Sequence, residues 1–306
     1  MGKTLKEIFY RFSDDQVAFR YGVALKLSSM SLIFVGLVMF FLYILLKIDL
    51  IFFNANQFPG AKEFQEAYFD FVFSNSIDLL PYILISLIII FFSGLYLTYL
   101  ILRPFKLLSK YCDDVCSGKK GSFNPEMLTD HRLLIMFSDY FFSVSEQMIT
   151  ENKFKATAIP ERFTKVHKPV YDWSFFMSYF LIILALTVLS IIGVITVDTG
   201  IREQIIELST NFLKATPSVK YFLSEQFVVF DLIVYLLISF HVAIHFSFGF
   251  YLYSKVATPA FAIFSTMRSF LKGNKSARVH LIGYSYLRDD CRKINKYLDL
   301  LSKLPE

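Results

Sequence analysis

The sequence predicts an all-α integral membrane protein with four transmembrane helices and two cytoplasmic helix pairs, arranged as an internal pseudo-two-fold duplication. Three observations carry this. Of the 306 residues, 55% are hydrophobic and 18% aromatic, more than an ordinary soluble domain holds. Four stretches, 27–46, 79–102, 173–197 and 232–254, lack Asp, Glu, Lys and Arg, and each approaches or exceeds the roughly 20 residues a helix needs to cross a bilayer core. A single offset of 155 residues pairs Gly94 with Gly249, Tyr96 with Tyr251, Leu97 with Leu252, Pro104 with Pro259 and Gly118 with Gly273. Coincidences at one offset, running through an apolar stretch and the polar segment after it, point to a repeat.

The basic residues set the expected orientation. Segments 1–26, 103–172 and 255–306 carry 5, 11 and 10 Lys or Arg, against 2 in 47–81 and 3 in 198–231. Placing the three basic segments on the cytoplasmic side satisfies the positive-inside rule and puts both termini there. The net charge of +5 then reflects topology and lipid-headgroup contact, and no nucleic-acid partner is expected. Cys112, Cys116 and Cys291 all fall in segments assigned to the cytoplasm, where thiols stay reduced. The first 26 residues hold no apolar signal-peptide core, so the first span is expected to be an uncleaved anchor.

In order, residues 1–26 form a cytoplasmic N-terminal segment in which Leu5, Ile8, Phe9 and Phe12 recur at helical spacing among Lys3, Lys6 and Arg11. That pattern suits a helix lying on the inner membrane face or packing on the protein itself. Asp14 and Asp15 read as a helix start leading into the first span. The first hairpin occupies 27–102 and the second 173–254. Their outer loops, 47–81 and 198–225, are each expected to carry a short amphipathic helix and are too short for a ligand-binding domain.

Each hairpin runs into a proline and then a polar helix, giving helix pairs at 103–150 and 255–306. From Pro104 the apolar positions are Phe105, Leu108, Cys112 and Val115; from Pro259 they are Ala260, Ile263, Met267 and Phe270. Both series have the 3, 4, 3 spacing of an a/d seam. The helices are expected to stop at Gly118 and Gly273. A second seam follows in each copy: Leu134, Phe137, Phe141, Val144 and Met148, then Leu287, Cys291, Ile294, Leu298 and Leu301. Between the copies, 151–172 reads as a polar connector broken by Pro160 and Pro169. Trp173 suits the aromatic belt at the start of the third span.

A membrane helix, a proline, an a/d helix ending at a glycine 14 residues later, a connector and a second a/d helix together resemble the HAMP domain, the relay module of bacterial sensor kinases and chemoreceptors. In the second copy, KSARVHLIGYSYLRDDCRKINKYLDLL resembles the family's connector and second helix, with Asn295 at the position of its frequent Phe-Asn pair. The resemblance covers residues 102–148 and 256–301 with the spans before them. Two departures stand out: Ser285 and Tyr286 replace the acidic pair that usually opens the second helix, and Ser138 stands where the first copy would match Asn295. The resemblance implies a parallel four-helix bundle, which the family builds from two chains. A chain with two copies is expected to supply all four helices itself, with Pro104, Pro259, Gly118 and Gly273 as relay hinges and Leu108, Cys112, Ile263, Met267, Ile294 and Leu298 in the seams. The sequence to Glu306 contains no kinase, cyclase or methyl-accepting coiled coil, so the output is expected to lie in a protein partner.

Few residues suggest chemistry. His241 and His245 lie one turn apart in the fourth span, with Asp231 and Tyr235 on roughly the same stripe. They are expected to fix helix packing by hydrogen bonds, because the matching span of the first copy holds no histidine to complete a ligand pair. Cys112 and Cys116 lack the further ligands a zinc site needs. Gly94, Gly249, Ser93, Ser247 and Gly193 are expected to let helices approach closely. There is no phosphate loop, nucleophile elbow or metalloprotease helix, so neither an enzyme nor a cofactor is expected. The leading expectation is a non-enzymatic signal-relay or adaptor protein of a bacterial inner membrane, in contact with lipids and acting on a protein partner. The alternative is a structural or accessory subunit of a larger motor, secretion or transport complex. A third reading, a transporter or redox carrier, depends on His241 and His245 alone.

Overall fold

A computed structural model describes residues 14–57, 61–119, 121, 123, 132–167, 173–213 and 217–306. The expected amphipathic pattern from Leu5 to Phe12 lies outside these residues. Every regular element described is helical: α1 (Asp15–Ala55), α2 (Ala61–Cys116), α3 (Arg132–Thr150), α4 (Glu161–Thr164), α5 (Trp173–Leu213), α6 (Pro217–Leu271), a 3-10 turn (Ser285–Leu287) and α7 (Arg288–Ser302). Four helices are long and apolar enough to cross a membrane, the mark of a multi-pass membrane protein. The chain separates into two compact units, each drawing on both halves of the sequence. One comprises Ala24–Gly94 and Ile182–Ser247, and the other Met1–Val23, Leu95–Leu181 and Phe248–Glu306.

The first unit consists of long helical segments joined at their hairpin ends. Here the structure corrects the sequence expectation, for the outer segments are not loops with short helices. Instead α1 runs to Ala55, α2 begins at Ala61, α5 runs to Leu213 and α6 begins at Pro217. The reason is burial: Leu46, Leu50, Phe53, Phe64, Tyr68, Ile205, Val219 and Leu223 form one apolar cluster, with Phe52 stacked on Phe222 at 3.9 Å. Burying one such side chain contributes about 1.5–3 kcal/mol, more than the fraction of a kcal/mol at stake in helix propensity, so the helices continue. Asp231, expected at the edge of its span, pairs with Arg202, whose guanidinium also lies over the Phe227 ring. Further along, Phe34, Val38, Leu45, Val194, Phe230 and Val234 form a second cluster. Leu32, Ile33, Phe40, Ile85, Phe92, Leu236 and Phe240 remain exposed, as a lipid-facing surface requires.

Small residues act unequally in this unit. A Cβ placed on Gly94 would lie 2.7 Å from the Ala24 Cα, so this glycine permits backbone contact between α2 and α1. Gly193 does not play the expected part, because nothing lies within 4 Å of its hypothetical Cβ. It lines a mostly apolar cavity of about 130 Å³ together with Ser31, Ser86, Ser190 and Ile90.

The second unit contains a four-helix bundle made from the ends of α2 and α6 with α3 and α7. Phe137 and Phe141 of α3 meet Phe264 and Phe270 of α6. Ser109 and Asp113 of α2 meet Asp290 and Lys293 of α7. In both pairs the contacts advance in step, so the paired helices are parallel. Tyr111 of α2 packs on Phe142 of α3, and Tyr297 of α7 meets Tyr111, Phe141 and Phe142. Helix α2 does not break at Pro104, nor α6 at Pro259; each runs through as one helix. They end alike. Gly118 and Gly273 take φ +73° and +103°, and the amides of Gly118 and Lys119 return to Val115 and Asp114 as those of Gly273 and Asn274 return to Phe270 and Ser269. These are Schellman caps, in which glycine avoids the penalty a Cβ would incur.

The connector expected to lack apolar order is strapped to the bundle by two phenylalanines. Phe154 is buried against Phe270 and donates its amide to Pro305, while Phe163 of α4 packs on Phe137. Arg268 holds the strap from α6, donating to the carbonyls of Phe163 at 2.9 Å and Val166 at 2.6 Å. Gly94→Ala is expected to force α2 off α1 and cost about 1–3 kcal/mol, as overpacking does. Thermal unfolding in detergent checks this, and an unchanged midpoint would show that the contact is slack.

Candidate functional site at Pro259 of α6

Pro259 has no N–H, so the Lys255 carbonyl four residues earlier loses its ordinary helical donor. The Tyr286 hydroxyl, in the 3-10 turn that opens α7, donates to that carbonyl at 2.7 Å. The Tyr286 ring is 5% exposed and stacks on Phe19 of α1 with centroids 4.0 Å apart. The Lys255 ammonium sits over the ring of Tyr284 at 5.3 Å. One tyrosine thus closes the gap in α6 and touches the start of α1.

One turn further on, Asp290 is also 5% exposed and accepts two hydrogen bonds, from Ser109 Oγ of α2 at 2.5 Å and from Gln16 Nε2 of α1 at 2.9 Å. Hydrogen bonds to a charged partner contribute roughly 1.5–3 kcal/mol. The flanking ion pairs Arg288–Asp15 and Lys293–Asp113 are 3.5 Å long and half exposed, so they add little. The opening turns of α7 therefore bind α1, α2 and α6 through a few buried groups. Asp14 sets up the α1 contact by capping that helix, its carboxylate accepting the Gln16 amide at 2.9 Å.

Burial raises the Asp290 carboxyl above the ordinary range, against the opposing pull of the Ser109 hydrogen bond, Lys106 and Lys293, with Asp289 reinforcing the rise. Burial also raises the Tyr286 hydroxyl, which keeps it a donor. The Cys291 thiol is pushed up to about 12 by burial and by Asp290, leaving it protonated and unreactive.

The sequence-derived residues fall in different places. Pro259 lies at this site; Gly118 and Gly273 cap the far ends of their helices. Leu108, Cys112, Ile263, Met267, Ile294 and Leu298 are all buried in the bundle. The first copy's counterpart of the Tyr286 turn, 124–131, lies outside the described residues. Asn295 holds the second connector, its amide bonding the N–H of Val279 at 2.7 Å and its carbonyl at 3.0 Å. His241 and His245 belong to the other unit, both buried, with Phe34 stacked on His241 and the His245 ring tilted beside it. Among the described residues no three His, Cys, Asp or Glu side chains converge as metal ligands.

Sequence reasoning missed Gln16, Ser109 and Asp290, which carry no motif. It noted Tyr286 only as a departure. The usable signal was a proline in a helix, whose orphaned carbonyl calls for an outside donor.

Tyr286→Phe keeps the stack on Phe19 but removes the donor, and is expected to cost about 1 kcal/mol of bundle stability. In a Pro259→Ala background, which restores the helical N–H, the same change is expected to cost clearly less; equal costs in both backgrounds would refute the link. Asp290 sets a pH dependence. Its folded carboxyl holds a proton more tightly than the unfolded one, so its contribution to stability is greatest at acid pH and falls as pH rises from about 4 through the raised value. Asp290→Asn is expected to remove that slope from the unfolding profile, and a slope that persists would place its origin elsewhere.

Compared with protein-family models, with curated proteins and with solved structures, the chain finds no match.

Proposed function

We propose that this protein is a non-enzymatic signal relay of a bacterial inner membrane, with both termini cytoplasmic, whose HAMP-like bundle acts on a protein partner. The observation that carries the reading is a parallel bundle built within one chain, two of whose helices continue apolar helices long enough to cross a membrane. The two matching Schellman caps at Gly118 and Gly273 support the repeat, as does the pairing of α2 with α7 and of α6 with α3. In this arrangement each proline-bearing helix packs on the second helix of the other copy. The pseudo-two-fold bundle thereby takes the place of a dimer.

The relay works by a small shift or rotation of α2 or α6, carried through Pro104 or Pro259 into the seams. Interdigitated cores are bistable rather than continuously deformable, so a shift at the helix start is converted into a choice between two packings. The start of α7 is the receiving element, since Tyr286 and Asp290 hold α1, α2 and α6 at once. The basic cytoplasmic segments suit anionic headgroups.

Spin labels placed on the exposed residues Lys110 and Asp299 report the distance between α2 and α7. Ala260→Leu overfills the seam and Met267→Ala empties it, each changing packing by about 1–5 kcal/mol. Both are expected to move the label distance to a new discrete value while a co-purifying partner stays bound. If every seam variant leaves the distance unchanged and only lowers the yield of a large stoichiometric complex, the protein is an accessory subunit.

A further inference from the structure

We infer that the second connector and the start of α7 form a site for the headgroup of an anionic phospholipid, with Ile282 reaching into the acyl region beside it. Residues 279–295 line a cavity of about 370 Å³, within the roughly 300–1,000 Å³ typical of ligand pockets. Its wall includes Arg288 and Arg292, one turn apart on α7, His280 and Tyr284 of the connector, and Ser285; no carboxylate lines it. The fork of an arginine matches phosphate oxygens, and the Ser285 hydroxyl offers a further donor.

Neighbouring carboxylates do not use these arginines up. Arg288 meets Asp15 at 3.5 Å and Arg292 meets Asp289 at 3.4 Å, each through one nitrogen, and both arginine side chains are more than half exposed. Such pairs add little, and a guanidinium carries five N–H donors.

Contacts to α6 put the cavity at the edge of the membrane. The charge-free run of the fourth span ends at Ser254, and Lys255 follows it. Tyr284, in the cavity wall, lies 5.3 Å from the Lys255 ammonium, which also faces Tyr251 at 5.5 Å, and Tyr286 bonds the Lys255 carbonyl. Tyrosine and lysine at the end of an apolar run stand at headgroup level. Between the lining residues Leu281 and Gly283 sits Ile282, 95% exposed, whereas Tyr82, the next most exposed large apolar side chain described, is 72%. Gly283 makes the turn that presents it, with φ +83°. Basic groups beside one projecting apolar side chain are the combination that holds a segment on an anionic leaflet. A soluble anion would engage the arginines and leave Ile282 in water, so lipid accounts for both features. The site makes specific the headgroup contact of the proposed function and rests only on α6 crossing the membrane; its failure leaves the label-distance test of the relay standing.

The full chain is placed in nanodiscs of phosphatidylglycerol and phosphatidylcholine, and the lipid it retains is read by native mass spectrometry. One phosphatidylglycerol per chain is expected, with about a tenfold loss in an Arg288→Gln, Arg292→Gln variant. No loss is expected in a Lys153→Gln, Lys155→Gln variant, which removes the same charge elsewhere. In proteoliposomes, Ile282→Trp in a Trp173→Phe background carries the sole tryptophan, and lipids brominated in the acyl chain are expected to quench it. All these positions are exposed, so the variants leave the buried core as it is. Equal retention of the two lipids, an equal loss in the lysine variant or an unquenched tryptophan would each overturn the proposal. So would inorganic phosphate bound through the arginines with lipid retention unchanged, which would assign the cavity to a soluble anion.

Discussion

The bond from Tyr286 to the Lys255 carbonyl is the interaction on which the bundle's construction turns. A proline inside a long helix leaves one carbonyl without a donor and presses its ring toward the preceding turn, which ordinarily kinks or ends the helix. Here α6 continues to Leu271, and the missing donor arrives from another element. That element is the start of α7, so the proline of one helix is joined to the docking of another. The stack on Phe19 ties the same tyrosine to α1, and α1 cannot reposition its first turns without disturbing the repair.

Aromatic mass does for this bundle what a dimer interface does for an ordinary parallel helix pair. Two short a/d helices bury only a narrow stripe each. Tyr111, Phe137, Phe141, Phe264, Phe270 and Tyr297 all have less than about a twentieth of their surface exposed and interlock at ring distances mostly of 4–6.5 Å. Edge-to-face pairs of this kind add about 0.5–1.5 kcal/mol each beyond their buried area. The polar ends are also satisfied: Tyr297 bonds Ser145 and Tyr111 bonds Glu146. Large rings with tethered hydroxyls give a core of defined geometry, whereas aliphatic side chains alone leave more freedom to slide.

What could be read from the sequence divides along physical lines. The apolar helices were legible because charge-free runs of that length have no other stable home. The buried positions Leu108, Ile263, Met267 and Leu298 were legible because heptad spacing encodes a face. The extension of the helices to Ala55 and Leu213 was not, since Glu63, Asp70 and Glu207 gave those segments a loop-like polarity while the burial of Phe53, Phe64 and Ile205 depends on neighbours from other helices. Tyr111, Phe264 and Tyr297 lie off the a/d seam, and their burial depends on neighbours from other helices. The strap through Phe154 and Phe163 has two isolated aromatics in a polar run, a signal too sparse to show a period. The junction at Tyr286, Asp290, Gln16 and Ser109 joins residues up to 274 positions apart, a relation that local pattern does not hold.

The contacts that open α7 are individually modest. A neutral hydrogen bond such as that of Tyr286 nets about 0.5–1.5 kcal/mol, and 1.4 kcal/mol changes an equilibrium constant tenfold. Moving a two-state element from one packing almost wholly to the other takes about 5.5 kcal/mol. Making or breaking the Tyr286 bond alone falls well short of this. The two hydrogen bonds to Asp290 add to it, offset by the burial that raises the Asp290 carboxyl. The opening turns of α7 therefore divide their hold among three helices, and no single contact supplies the free energy of a complete switch. At this junction the ion pairs are half exposed, and the groups that bridge the helices are buried.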